Sequence, residues 1–147
     1  MEIIKHDFSK KVGWETRLEE HIEAHRYKKF RWGQNDCVTF SLTSMNKITQ
    51  MPAFECYTPR WKNKREAVML LKKAGVRSWI EIIELHLEKN GLWKIPTLMA
   101  QRGDLAIIDT DQGLGVGVVY FDKVLHPGPK GLCATKITDA KRVWRYS

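Results

Sequence analysis

Cysteine is scarce in this chain: Cys37, Cys56 and Cys133 are an odd number without metal-ligand spacing. That count argues against a disulfide framework and against a zinc site, so reduced thiols are expected and no cofactor or metal is called for. Long apolar runs are missing as well. No stretch approaches the roughly 20 residues that would span a bilayer, and Met1 to Phe8 lacks the apolar segment of a secretory signal. A soluble protein without an export signal is the expectation. No Pro/Gly/Ser-rich stretch divides the 147 residues, which reads as a single domain over 1–147 with one sizeable core.

Negative charge is also in deficit, with 17 Asp and Glu against 25 Lys and Arg. The surplus of +8 lies in scattered clusters: Arg26/Lys28/Lys29/Arg31, Arg60/Lys62/Lys64/Arg65, Lys72/Lys73/Arg77 and Lys141/Arg142/Arg145. Such a surface favours anionic partners, among them nucleic acid, cell-wall polymer or an acidic protein, or is simply solvated. No cluster sits in a nucleic-acid-binding motif, which makes nucleic acid the weakest of these. The six tryptophans are spread along the chain and read as core or rim residues rather than a stacking platform.

Periodicity predicts helices first and strands second. Trp14, Leu18, Ile22 and His25 recur at helical spacing over 13–28, with glutamates on the other face. A second helix runs from Cys37 to about Thr49 and should pack on the first, with Phe40, Met45 and Ile48 inward. A third fits 62–74 and ends at Gly75, and a fourth fits 78–89, capped by Ser78 and stopped by Asn90-Gly91. Pro52 and Pro59 frame an irregular segment holding Phe54, Cys56 and Tyr57. Strands are predicted at 103–109, 114–121, 123–126, 131–137 and 142–146, the first two joined as a hairpin by Thr110-Asp111-Gln112-Gly113. This order fits an α+β domain whose antiparallel sheet packs on an N-terminal helical layer.

The most informative stretch is Trp32-Gly33-Gln34-Asn35-Asp36-Cys37. A helix beginning at Cys37 would aim unpaired backbone N–H groups and a positive dipole end at the thiol, both of which favour a thiolate. Asn35 or Asp36 can cap that helix. The Cys37 N–H, with the side chain of Gln34 or Asn35, can supply oxyanion donors. His21, His25 and His86 lie on helices with charged faces and read as solvated or interfacial, while Asp36 and Asp104 read as capping and turn residues.

A helix, then W-G-x-x-D-C opening a second helix, then G-D-L (Gly103-Asp104-Leu105) starting a strand, resembles the NlpC-type papain-like peptidoglycan peptidases. In that superfamily the cysteine attacks an amide of the wall peptide, a His heading the second strand is the base, and a third polar residue orients it. Mapped onto this chain, the resemblance puts the nucleophile at Cys37 and the orienting residue at His126 in Val124-Leu125-His126-Pro127, while Val116-Gly117-Val118 puts Gly115 where the base belongs. Neither neighbour of that position, Leu114 or Val116, can take a proton.

A branch of the superfamily found in bacteriophage and prophage tail modules is more similar still. It combines a W-E-x-R-L helix (Trp14 to Leu18), W-G-x-x-D-C, a G-D-[VL] strand, a late G-L (Gly131-Leu132) and a closing Trp-Arg (Trp144-Arg145), and often lacks the central His. The resemblance implies a virion protein of the tail tip or baseplate, synthesised in the host cytoplasm, that contacts tail hub proteins through a cleft around Trp32, Gln34, Asn35, Asp36 and Gly115. Its alternative implication is an active peptidoglycan hydrolase using Cys37 with His126 to breach the wall during genome entry.

Overall fold

The computed structural model describes residues 7–51, 61–75, 78–111 and 113–146, and its element order is helices followed by sheet. Helices α1 (Trp14–His25), α2 (Cys37–Ile48), α3 (Lys64–Ala74) and α4 (Trp79–Lys89) precede strands β1 (Trp93–Ile95), β2 (Leu105–Thr110), β3 (Gly113–Tyr120), β4 (Lys123–Gly128), β5 (Gly131–Lys136) and β6 (Arg142–Arg145). The strands form one sheet in the order β1-β6-β2-β3-β4-β5, every pair antiparallel. The expected α+β class and helix-then-sheet order hold. Strand β1 was not expected: three residues are too few to show a period, and β1 pairs only with β6 at the far end of the chain. The segment around Phe54, Cys56 and Tyr57, and Gln112 of the hairpin turn, lie outside the described residues.

Local chemistry sets the helix ends. Asp36, Asn63 and Ser78 each accept a hydrogen bond from a backbone N–H in the first turn of α2, α3 and α4. Gly75 closes α3 in the left-handed region with φ 73°. Helix α2 is buried nearly all round, through Val38, Phe40, Leu42, Met45 and Ile48, because α1 covers one side of it and β3 the other. The opposite face of the sheet carries a second, smaller core of Ala106, Ile108, Val119, Val124 and Val143.

Of the two expected readings, solvated or interfacial, His21 and His86 take the buried, interfacial one. His21 stacks on Phe40 with ring centroids 5.0 Å apart and is 3% exposed, and His86 is buried with Nδ1 3.0 Å from the Ile82 carbonyl. An imidazole's apolar faces pack as well as an aromatic ring once its nitrogens find partners, which a count of flanking charges does not register. Burial pushes the His21 imidazole down to about 3, and the neighbouring His25 adds to the fall.

Polar ties fix the helical layer to the sheet. Glu84 on α4 accepts from Arg142 at 2.7 and 2.8 Å and from Trp144 Nε1 at 2.8 Å, joining α4 to β6. Burial alone would raise its carboxyl, but these donors hold it below the ordinary value. Glu84→Ala should cost about 2 kcal/mol in urea unfolding, since it strands two donors of β6 at once. An unchanged midpoint would show that the tie is not structural.

His21 makes stability depend on pH with a defined sign. An unfolded chain protonates this imidazole near 6.5 and the folded chain only near 3, so the unfolded state binds more protons between those values. Stability therefore falls as pH drops through that window and is level above it. Between pH 7 and pH 5 the loss should be about 2 kcal/mol, and His21→Leu should remove most of it. A pH dependence that is the same in wild type and variant would assign it to other groups.

Candidate functional site

Cys37 is the first residue of α2, and its sulfur faces β3. The turn before it is fastened by Asp36: Oδ1 accepts from Thr39 N–H at 2.8 Å, and Oδ2 accepts from Gly33 N–H at 2.9 Å and from the Trp61 indole at 2.8 Å. Gly33 is required here. Its φ is +74° and a Cβ would run into the Trp61 carbonyl.

The residue facing the thiol is Gly115. A Cβ built on it would stand 3.3 Å from Cys37 Sγ and 2.8 Å from Thr110 Cγ2. A side chain at 115 would thus emerge directly against the sulfur, in a slot now edged by the Thr110 methyl. Among the described residues no imidazole occupies it. His126, on β4, lines the same cleft as Cys37, yet its Nε2 shares a hydrogen bond with Thr135 Oγ1 at 3.0 Å. Among the described residues none joins it to the thiol. Burial lowers the His126 pKa from its ordinary value, leaving a neutral ring at pH 7.

The thiol does not behave as the helix start alone suggests. Burial pushes Cys37 up to about 11, and the Asp36 carboxylate adds to the rise. Backbone hydrogen bonds from Val116, Val38 and Cys37 itself oppose it without winning. Desolvation thus works against the thiolate that the helix start favours: the N–H groups are present, but an anion drawn out of water loses more hydration than they return.

The expected oxyanion donors are corrected too. Asn35 spends its amide on the carbonyls of Lys28 and Lys29, at 3.2 and 3.0 Å, which shapes the preceding loop. Gln34 is exposed and lies outside the cleft lining. Trp32, Asp36, Cys37 and His126 do line it. The cleft has a volume of about 740 Å³ and is walled by groups that sequence reasoning passed over. Trp61 and Trp79 pack with centroids 4.6 Å apart and ring planes tilted by 35°, Trp61 in the core and Trp79 at its edge. On α3, Lys64, Ala67, Val68 and Leu71 turn toward the same space. Their i, i+3, i+4, i+7 spacing marks one helix face, and it was the available signal, but an apolar stripe reads the same whether it meets a core or a cleft. Among the described residues, no group of three or more His, Cys, Asp or Glu could hold a metal ion.

Comparison with known families gives one match. A family model described as a domain of unknown function (DUF6950) covers residues 9–146. The chain belongs to this family. No curated protein matches the chain. The match to DUF6950 spans α1 to β6, and so the Cys37 turn, Gly115 and the cleft are all parts of the shared domain.

Alkylation tests the state of the thiol. Iodoacetamide should label Cys37 slowly at pH 7, with a rate that climbs toward pH 11. In the Gly115→His/Thr110→Ser double variant, where loss of the Thr110 methyl clears the slot, an imidazole beside Sγ should speed labelling at pH 7 by about tenfold or more. A rate unaltered by the double variant would mean that position 115 does not address the thiol.

Proposed function

We propose that this chain is a structural or assembly component of a bacteriophage tail tip or baseplate, built on an NlpC-type papain-like domain that has lost its proton acceptor. Its cleft holds a segment of a neighbouring tail protein without cutting it. The observation that carries the loss of catalysis is Gly115: its missing side chain would meet Cys37 Sγ at 3.3 Å, the place where the resemblance puts a base. The thiol stays protonated at pH 7, and His126 is bonded to Thr135. General-base assistance is worth roughly 10²–10⁴-fold, and among the described residues none is bonded to the thiol to supply it.

The tail setting rests on the motifs Trp14 to Leu18, Trp32 to Cys37, Gly103 to Leu105 and Trp144-Arg145. Supporting it, these motifs lie at the first helix, at the helix start bearing the cysteine, and at two neighbouring strands, β2 and β6, of a helix-then-sheet domain. What is kept is a cleft with aromatic walls, which is what a docking module needs.

Two measurements bear on the two halves of the proposal. Zymography on purified peptidoglycan should show no clearing by the wild type; clearing that disappears in both Cys37→Ala and His126→Ala would replace the docking module with a hydrolase. Mass spectrometry of gradient-purified tails should find the chain as a particle component. Its absence from particles whose assembly does not depend on it would end the tail assignment.

A further inference from the structure

A hydroxyl and an imidazole stand together on β4 and β5, apart from the Cys37 turn. His126 Nε2 lies 3.0 Å from Thr135 Oγ1, and both residues are half-buried and line the cleft. The ring also makes a hydrogen bond to the Pro127 backbone. Proline has no N–H, so that partner is the carbonyl and the imidazole is the donor. A neutral imidazole carries a single N–H. With that hydrogen given to Pro127, the nitrogen facing Thr135 is left to accept, and the threonine hydroxyl donates to it.

Strand register holds the pair in place. Val124 lies opposite Thr135 and His126 opposite Cys133, so these four residues share one face of the β4–β5 hairpin and the imidazole reaches the hydroxyl along the diagonal. Cys133, the other nucleophile beside the ring, leans away from that diagonal: a Cβ on Gly128 would run into its sulfur, and Gly128 lies at the end of β4 far from Val124. The hydroxyl rather than the thiol therefore holds the imidazole. A nucleophile bonded to a base, with the base held by a third group, is the arrangement that activates an otherwise weak hydroxyl.

We infer that Thr135 is an acyl-accepting hydroxyl with His126 as its base, and that it takes the acyl group of small esters of acidic alcohols. As Oγ1 bonds to the ester carbonyl carbon, its proton passes to His126 Nε2. The tetrahedral adduct then breaks its bond to the alcohol oxygen, which takes the proton back from the imidazolium, and the acyl group stays on Thr135. The Pro127 carbonyl, already accepting from the ring, stabilises the imidazolium in between. A peptide amide, whose amine leaves far less readily than an acidic alcohol, stays uncut. The site thus stands beside the docking role without depending on it.

Incubation of the full chain with p-nitrophenyl acetate, read by nitrophenolate release and by tandem mass spectrometry, decides it. An acetyl group should appear on Thr135 at pH 7. Thr135→Val, which keeps the shape and removes the hydroxyl, should lose it, whereas Thr135→Ser should keep it at position 135. His126→Gln retains an acceptor for the hydroxyl but no base, so it should slow acetylation of Thr135 by roughly 10²-fold or more while circular dichroism shows the fold unchanged. A purely structural bond between the strands would leave that rate alone. Acetyl groups confined to lysines, to Cys133 or to Cys37, loss of the label in Thr135→Ser, or an unaltered rate in His126→Gln would each overturn the assignment.

Discussion

A carboxylate taken out of water has to be met by donors, and Asp36, 2% exposed, is met by three. The Thr39 N–H belongs to α2, the Gly33 N–H to the loop before it, and the indole N–H to Trp61, on the far side of the segment that follows α2. One side chain thereby fixes where the helix begins, how the approach loop bends and where the aromatic wall of the cleft stands. No cation is paired with it among the described residues; the positive end of α2 takes that part. Replacing the carboxylate by a group with fewer acceptors would release the loop and Trp61 together, because the three bonds share two oxygens.

The same joint explains the thiol. Setting Asp36 immediately before Cys37 gives a firm helix start, but it also puts a buried negative charge next to a sulfur that would have to become negative to react. In a cysteine hydrolase an imidazolium on the other side offsets such a charge, and the pair of charges is stable where either alone is not. Here the other side is Gly115 with the Thr110 methyl beyond it. Among the described residues no imidazolium balances it, and desolvation is the largest cause of the thiol's rise.

What could be read from the chain was what is local. The caps at Asp36 and Ser78, the stop at Gly75, the turn role of Asp104 and the hairpin of β2 with β3 depend on neighbours within a few positions, and the structure keeps them. What could not be read depends on partners far away in sequence. Asp104 also pairs with Arg145 at 2.9 Å across 41 residues, His21 finds Phe40, and β1 exists only because β6 returns to it. The site divides in the same way. Cys37 at a helix start and the empty position 115 were legible from the motif, whereas the commitment of Asn35 to the loop carbonyls, the Trp61–Trp79 contact and the desolvation of the thiol come from tertiary packing that no spacing encodes.

Under the proposed reading, the residues present and the residues absent differ in kind. Asp36 and Gly33 each hold the backbone in place whether or not a reaction occurs, and Asp104 ties a turn to the last strand. An imidazole at 115 would have had one task, to take a proton from Sγ, and its removal leaves the strand pairing of Ile108 with Gly115 intact. His126 illustrates the intermediate case: with no imidazole to orient, it bonds instead to Thr135 on the adjacent strand and remains as a polar rung between β4 and β5. A domain can therefore shed proton transfer without disturbing its fold, while the cleft, whose Trp61 wall is held by Asp36 and which Val68 and Leu71 of α3 also line, persists.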